Sequence, residues 1–201
     1  MTKKTVIRIT LLLLLGLIIC WLFWPEKEIN YPAGILVKEE PYQKNIIGGK
    51  PWKRDDYKIT PLADFHLKAR VLHLEWYHID RESGLAPIDL ALGWEEMSNQ
   101  ANLDKIDISQ GNRWYHWSTK HFPIPRRLIE TESANMHIIP ANEQIEDILD
   151  NVVKGNIIEL TGYLVFIEGK DGWKWKSSLT RNDTGGGACE VVWVNDLKIL
   201  R

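Results

Sequence analysis

The hydrophobic pattern begins with a long apolar run near the N-terminus. Residues 6–24 (VIRITLLLLLGLIICWLFW) are almost wholly apolar, and the run is about as long as a helix that crosses the hydrocarbon core of a bilayer. Basic residues lie at its start and aromatic residues at its end: Lys3, Lys4, Arg8, Trp21, Phe23 and Trp24. This distribution predicts a cytoplasmic N-terminus (residues 1–5) and a transmembrane signal anchor (residues 6–24) with the remaining chain outside the cytoplasm.

Three other interpretations of this run fit the sequence less well. A cleaved signal peptide requires small residues after the apolar run, but Trp24, Pro25 and Glu26 follow it. A lipoprotein requires a small residue before the modified cysteine, but Ile19 precedes Cys20. A buried core helix does not explain basic residues at one end only. We therefore interpret residues 6–24 as an uncleaved anchor.

The next segment, residues 25–57, has the composition of a tether. It contains several prolines, a Gly48-Gly49 pair and many charged residues, and it shows no sustained periodicity. Such a composition favours an extended chain. The pattern predicts an extended linker over residues 25–57 and an extracytoplasmic β-rich domain over residues 58–201. Two short apolar runs in the linker, residues 35–37 and 46–47, could dock on the domain.

In the predicted domain the pattern changes to a period of two, which is typical of half-buried strands. Phe65, Leu67, Ala69 and Val71 alternate with polar residues, whereas Leu72 takes the opposite parity. The strand therefore either bulges near Val71 or becomes buried on both faces. Residues 106–118 predict further extended chain with a turn or bulge at residues 111–112, and residues 133–139 another strand.

One helix is clear, and it is followed by the strongest strand. Asn142 is a good N-cap for apolar residues at helical spacing that continue to Val153, and Gly155 is a suitable terminator. Residues 157–167 predict a strand, residues 169–172 (GKDG) a hairpin turn, and residues 190–199 a last strand. The sum is a β-rich domain with one or two short helices, either a small barrel of the OB or SH3-like kind or a curved antiparallel sheet.

Composition excludes some classes of function. The net charge is −2, so no basic field favours nucleic acid. The two cysteines, Cys20 in the apolar run and Cys189, are not placed to pair with each other. The chain has ten tryptophans, which is typical either of a β-rich core built from large side chains or of an aromatic binding face.

Three stretches of the chain resemble known sequences. PIDLALGW (residues 87–94), SANMHIIPA (133–141) and GWKWKSSLTRNDTGGGACEVVWV (172–194) are similar to segments of an uncharacterised family of bacterial membrane-anchored proteins. The resemblance covers most of the chain after about Tyr57. It implies a Gram-negative inner membrane with the domain in the periplasm, and it implies no activity, cofactor or catalytic residue.

Candidate chemistry centres on Cys189, which follows a glycine triplet. A flexible glycine loop can present a cysteine nucleophile, and His116 or His137 could activate it. Against this, a strand follows Cys189, so no helix dipole would stabilise a thiolate. The six histidines are scattered without the spacing of a zinc site, so we expect no metal and no cofactor.

Arginines interleave with tryptophans in the second half of the domain. This pattern is typical of a stacking site for a sugar, base or peptide, and equally of a tryptophan-rich surface held by salt bridges. The predicted ligand-binding residues are Arg113, Trp114, Trp117, Trp175 and Arg181.

The sequence favours a single-pass membrane protein whose periplasmic domain binds an envelope protein, a peptide or a glycan. The absence of a recognised catalytic motif favours a role without catalysis. Two alternatives stay open: a membrane-tethered hydrolase or transferase that uses Cys189 with a histidine, and a scaffold that acts through its transmembrane helix.

Overall fold

The computed structural model describes residues 12–13, 27–180, 185 and 187–201. Most of the predicted anchor, residues 6–24, and the predicted cytoplasmic residues 1–5 therefore lie outside the described residues. Within the described part of the chain, no helix combines the length and the apolar character needed to cross a membrane.

Ten strands and a few short helices make up the described fold. The strands are β1 (Tyr42–Asn45), β2 (Trp52–Arg54), β3 (Tyr57–Trp76), β4 (Ile88–Gly93), β5 (Asp107–Gly111), β6 (Trp114–Ser118), β7 (Ser133–Pro140), β8 (Ile157–Gly169), β9 (Lys174–Lys176) and β10 (Glu190–Ile199). The helices are a 3₁₀ turn (Glu95–Ser98), α1 (Gln100–Leu103), α2 (Arg126–Thr131) and α3 (Glu143–Leu149). The prediction of a β-rich domain with few helices is confirmed.

Five of the strands close into a ring, which we call the five-strand ring. Its neighbours run in the order β3, β4, β7, β10 and β8, and β8 pairs with β3 to complete it. Every pairing in the ring is antiparallel except β7 with β10, which is parallel. The remaining strands β1, β2 and β9 add to this sheet, while β5 and β6 form a separate hairpin.

The ring follows from the period-two pattern of its strands. Phe65, Leu67 and Ala69 on β3 are buried with Leu90 on β4 and Ile138 on β7, and they pack together in the largest core cluster. Residues of the other parity face outward and are covered by further elements, including the β5–β6 hairpin and α2. The expected irregularity after Val71 is confirmed, because the register of β3 against β4 shifts between Val71 and His73.

Two local predictions are confirmed and one helix boundary was wrong. The side chain of Asn142 accepts a hydrogen bond from the Ile145 N–H and caps α3, and β8 and β9 pair on either side of the predicted GKDG turn. However, α3 ends at Leu149 rather than continuing to Val153. Gly155 instead allows close packing, since a Cβ there would lie 2.0 Å from the carbonyl oxygen of Ile29.

The structure differs from the prediction of an extended linker over residues 25–57. Strands β1 and β2 lie within this segment and pair with β3. Further towards the N-terminus, Ser98 Oγ accepts hydrogen bonds from the N–H groups of Leu36 and Val37 at 3.0 and 3.1 Å, and Val37 is fully buried. Of its short apolar runs, Leu36 and Val37 pack against the core, whereas Ile35 and Ile47 stay exposed.

We expect the Gly162→Ala substitution to destabilise the domain by about 1–3 kcal/mol, because the added methyl group overpacks the ring. Gly162 lies on β8 opposite Val194, and a Cβ there would lie 1.8 Å from the Trp193 carbonyl oxygen. Urea denaturation measures the change. Gly84→Ala is the matched control, since nothing lies within 4 Å of a Cβ at that position, and an equal loss in both variants would contradict the prediction.

Candidate functional site

The outward faces of β4 and β7 place a carboxylate beside an imidazole. Asp89 and His137 are direct partners in the register of these two strands, and both have the parity opposite to the core residues. The His137 Nδ1 lies 2.8 Å from Asp89 Oδ1. The side chain of Asp89 is 0% exposed and that of His137 is 4% exposed, so the pair is shielded from solvent.

Cys189 lies on the other side of the imidazole. It directly precedes β10, whose first residue Glu190 is in register with Met136 on β7. Its thiol interacts electrostatically with the imidazole, since Cys189 is one of the groups that raise the pKa of His137. Because Nδ1 is committed to Asp89, Nε2 is the ring nitrogen that remains for the sulfur. Cysteine, histidine and aspartate are thus connected in series, the arrangement of a nucleophile, a base and a group that orients the base.

The electrostatics of this triad favour a protonated imidazole. Burial by itself lowers the pKa of His137, but the hydrogen bonds and charges of Asp89 and Cys189 outweigh it and raise the pKa from 6.5 to about 9. The protonated imidazole therefore places a positive charge close to Cys189.

Two further side chains, Trp175 and Arg113, contact His137 and Asp89 and hold them in place. The indole of Trp175 on β9 lies against the His137 ring, with 4.8 Å between the ring centres. Arg113 Nη1 donates to Asp89 Oδ1 at 2.7 Å. Its Nε and Nη2 also contact the two carboxylate oxygens of Asp80, at 2.8 and 2.9 Å. All three guanidinium nitrogens therefore donate hydrogen bonds to carboxylates of the domain itself.

The backbone around Arg113 is built to hold this arginine in place. Asn112 and Arg113 form a two-residue turn between β5 and β6, with φ values of 52° and 67°, as expected for a tight hairpin turn. Positive φ is unfavourable for arginine. The Tyr77 hydroxyl accepts a hydrogen bond from the Arg113 N–H at 3.0 Å, and the guanidinium lies over the Tyr77 ring at 3.8 Å.

A cleft of about 150 Å³ opens at Cys189, with room for about five water molecules. Its wall includes Trp114, Tyr115 and Trp117 from the β5–β6 hairpin. Tyr115 also donates to or accepts from Ser133 Oγ at 3.0 Å, and burial raises the pKa of its hydroxyl to about 12. Cys189 is half-buried and lines the cleft, so the three aromatic side chains of the hairpin and the cysteine share one opening.

The predicted site residues separate into different places. Trp114 and Trp117 line the cleft, whereas Arg113 and Trp175 contact Asp89 and His137 within the fold. Of the two candidate histidines, His137 interacts electrostatically with Cys189, while His116 lies on an exposed position of β6. Arg181 lies outside the described residues.

Sequence reasoning missed Asp89, although a signal for it was present. Asp89 interrupts an otherwise apolar strand, Ile88–Gly93, of which every residue is buried. A charged residue is rarely buried without a partner, so a carboxylate in such a run indicates a nearby cation or imidazole. The partners Arg113 and His137 are distant in the chain and were not identifiable from it.

The fold and the triad geometry define a β-rich domain with a cysteine, histidine and aspartate arrangement at one cleft. Compared with known proteins, the chain matches no family model, no curated protein and no solved structure. The resemblance to bacterial membrane-anchored proteins stays a prediction.

We expect Arg113→Ala to lower the free energy of unfolding by about 3–5 kcal/mol, because it removes one of the two cationic partners of the buried Asp89 carboxylate. Thermal or urea denaturation measures this loss. Arg126→Ala is the matched control: its ion pair with Glu130 is exposed, with 69% exposure of the arginine side chain, and should cost less than about 0.5 kcal/mol. Similar losses in the two variants would show that Arg113 is not bound as described.

The raised pKa of His137 predicts a pH dependence of stability. The folded-state pKa of about 9 exceeds the reference value of 6.5, so the stabilisation by His137 is present in full below about pH 6.5 and is lost as the pH rises through 9. Its size is on the order of 3 kcal/mol. The measurement is urea denaturation of the wild type and His137→Gln between pH 6 and pH 10. A difference between them that grows with pH would contradict the prediction.

Proposed function

We propose that the domain is a thiol-dependent acyl-transfer enzyme, a hydrolase or a transferase, with Cys189 as the nucleophile. The observation that carries the proposal is the series Cys189, His137 and Asp89 at an accessible cleft. A cysteine that served only for packing at the start of β10 would not need a neighbouring histidine that is hydrogen-bonded to a buried carboxylate.

The residues present supply the steps of such a reaction. In the reactive form of the pair, the proton of the Cys189 thiol is held on His137 Nε2, as the raised pKa of the imidazole favours. The sulfur then attacks the acyl carbon of the substrate, so that an S–C bond forms. As the tetrahedral intermediate collapses, the bond to the leaving group breaks and the His137 imidazolium gives its proton to that group. Water or another acceptor then attacks the thioester, which releases the acyl product and regenerates the thiol.

The position of the site in the ring also supports a binding role for this face. We infer that the five-strand ring is a barrel of the OB kind, in which the face of the second and third strands and the loops between strands one and two and between four and five bind ligands. In chain order, β4 and β7 are the second and third ring strands. Asp89 and His137 lie on them, and Cys189 ends the loop before β10.

A second candidate function is the binding of an envelope protein, a peptide or a glycan at the same cleft. It is favoured by the aromatic wall, because Trp114 is 47% exposed on the rim, and exposed aromatic side chains are common in recognition sites. In the enzyme, this wall would contact the substrate, so both candidates use Trp114 and Trp117.

For the location of the site we propose a single-pass inner-membrane protein with the domain in the periplasm. The support is the apolar run at residues 6–24 and its flanking charges. The domain would lie close to the bilayer, because Glu28 already pairs with Lys154 only a few residues after Trp24.

The first test is acylation of the purified full-length chain by p-nitrophenyl acetate, followed by intact-mass measurement. We expect an acetyl adduct on Cys189 that Cys189→Ser abolishes. His137→Gln should lower the acylation rate by about 10²–10⁴-fold, since it removes the group that holds the thiol proton and gives it to the leaving group.

His116→Gln is the matched control, because His116 is an exposed histidine that does not line the cleft at Cys189. Its acylation rate should equal that of the wild type. If His137→Gln and His116→Gln acylate equally fast, the proposed enzyme is wrong and the binding candidate becomes the better one.

A further inference from the structure

Besides His137, a second group lies next to the sulfur, namely the side-chain amide of Asn135. Asn135 lies on β7 two residues before His137, on the same outward face, and is only 4% exposed. Its Nδ2 lies 3.6 Å from the Sγ of Cys189. A buried amide next to a nucleophile can stabilise charge that develops during the reaction, provided that its N–H₂ end faces the site.

The backbone carbonyl of Arg113 fixes which end of this amide faces the site. Asn135 Nδ2 lies 3.4 Å from the Arg113 carbonyl oxygen. A carbonyl oxygen only accepts hydrogen bonds, so the end of the amide that faces both Arg113 and Cys189 must be the N–H₂ group. The turn at Asn112 and Arg113, held by Asp80 and Asp89, positions that carbonyl.

The opposite end of the Asn135 amide is held by two more side chains, Gln110 and His73. Gln110 Nε2 donates to Asn135 Oδ1. Gln110 Oε1 therefore faces His73 Nδ1, at 3.0 Å, and this nitrogen must carry a proton to donate. With both ends occupied, the Asn135 amide cannot rotate to present its oxygen to the sulfur.

We propose that Asn135 Nδ2 donates a hydrogen bond to the oxyanion of the tetrahedral intermediate, with Gln110 and His73 as positioning residues. This inference rests on the proposed acyl-transfer function. When the sulfur bonds to the acyl carbon, the carbonyl π electrons move to the oxygen, which becomes an oxyanion one carbon atom away from Sγ. A donor that already contacts Sγ is within reach of that oxygen, and when the intermediate collapses the electrons return to the carbonyl bond.

The proposal separates two reactions of the same thiol. Alkylation by iodoacetamide displaces iodide in one step and forms no oxyanion, whereas acylation by p-nitrophenyl acetate passes through one. Loss of an oxyanion donor should therefore slow acylation and leave alkylation nearly unchanged. A residue that only supports the fold would affect the two rates together.

The experiment measures both rates on Cys189 in the full-length chain for the wild type, Asn135→Ala and Gln110→Glu. We expect Asn135→Ala to lower the ratio of acylation to alkylation by about 10²-fold. Gln110→Glu cannot donate to Asn135 Oδ1, so it should lower the ratio in the same direction, and it provides the test if Asn135→Ala does not fold.

Ser109→Ala is the matched control, because Ser109 lies on β5 next to Gln110 but is exposed. Its ratio should equal that of the wild type. An unchanged ratio in both Asn135→Ala and Gln110→Glu would overturn the role of Asn135 and leave Cys189 as the nucleophile. A wild type that is alkylated but not acylated would instead overturn the acyl-transfer function, and this inference with it.

Discussion

The contacts of Asp89 are the constraint on which the site depends. Its carboxylate is fully buried on β4, and one oxygen accepts from both His137 Nδ1 and Arg113 Nη1. Burying a carboxylate is unfavourable unless nearby positive charge and hydrogen bonds compensate for it. The strained hairpin turn at Arg113, the Asp80 contacts and the Tyr77 stacking together form the surroundings that keep this cation against Asp89.

The same contacts determine the chemistry that the cleft can perform. Asp89 occupies Nδ1 of His137, which leaves Nε2 for Cys189, and it raises the proportion of imidazolium near neutral pH. The arginines and tryptophans that the sequence predicts to bind a ligand have two different roles in the structure. Arg113 and Trp175 support the triad within the fold, whereas Trp114 and Trp117 remain available at the cleft.

The segment before β3 shows how far composition can predict structure. Prolines and charges favour an extended tether, yet the chain from Glu28 onward contacts the ring. Arg70, 3% exposed, contributes to this docking because its Nη2 donates to the Ile29 carbonyl oxygen at 3.4 Å and its guanidinium lies over the Tyr31 ring. These contacts join residues far apart in the chain, so no local pattern indicates them.

Local periodicity by itself determined the β-rich character, the bulge after Val71, the cap at Asn142 and the GKDG hairpin, because each depends on neighbouring residues. Residue type, rather than periodicity, identified Cys189 and His137 as candidates. Only the tertiary structure decided that His137 rather than His116 meets the thiol, since this depends on the parallel pairing of β10 with β7. It likewise brought in Asp89 and oriented Asn135, because strand register and a distant hairpin place these groups, and neither is encoded in the spacing along the chain.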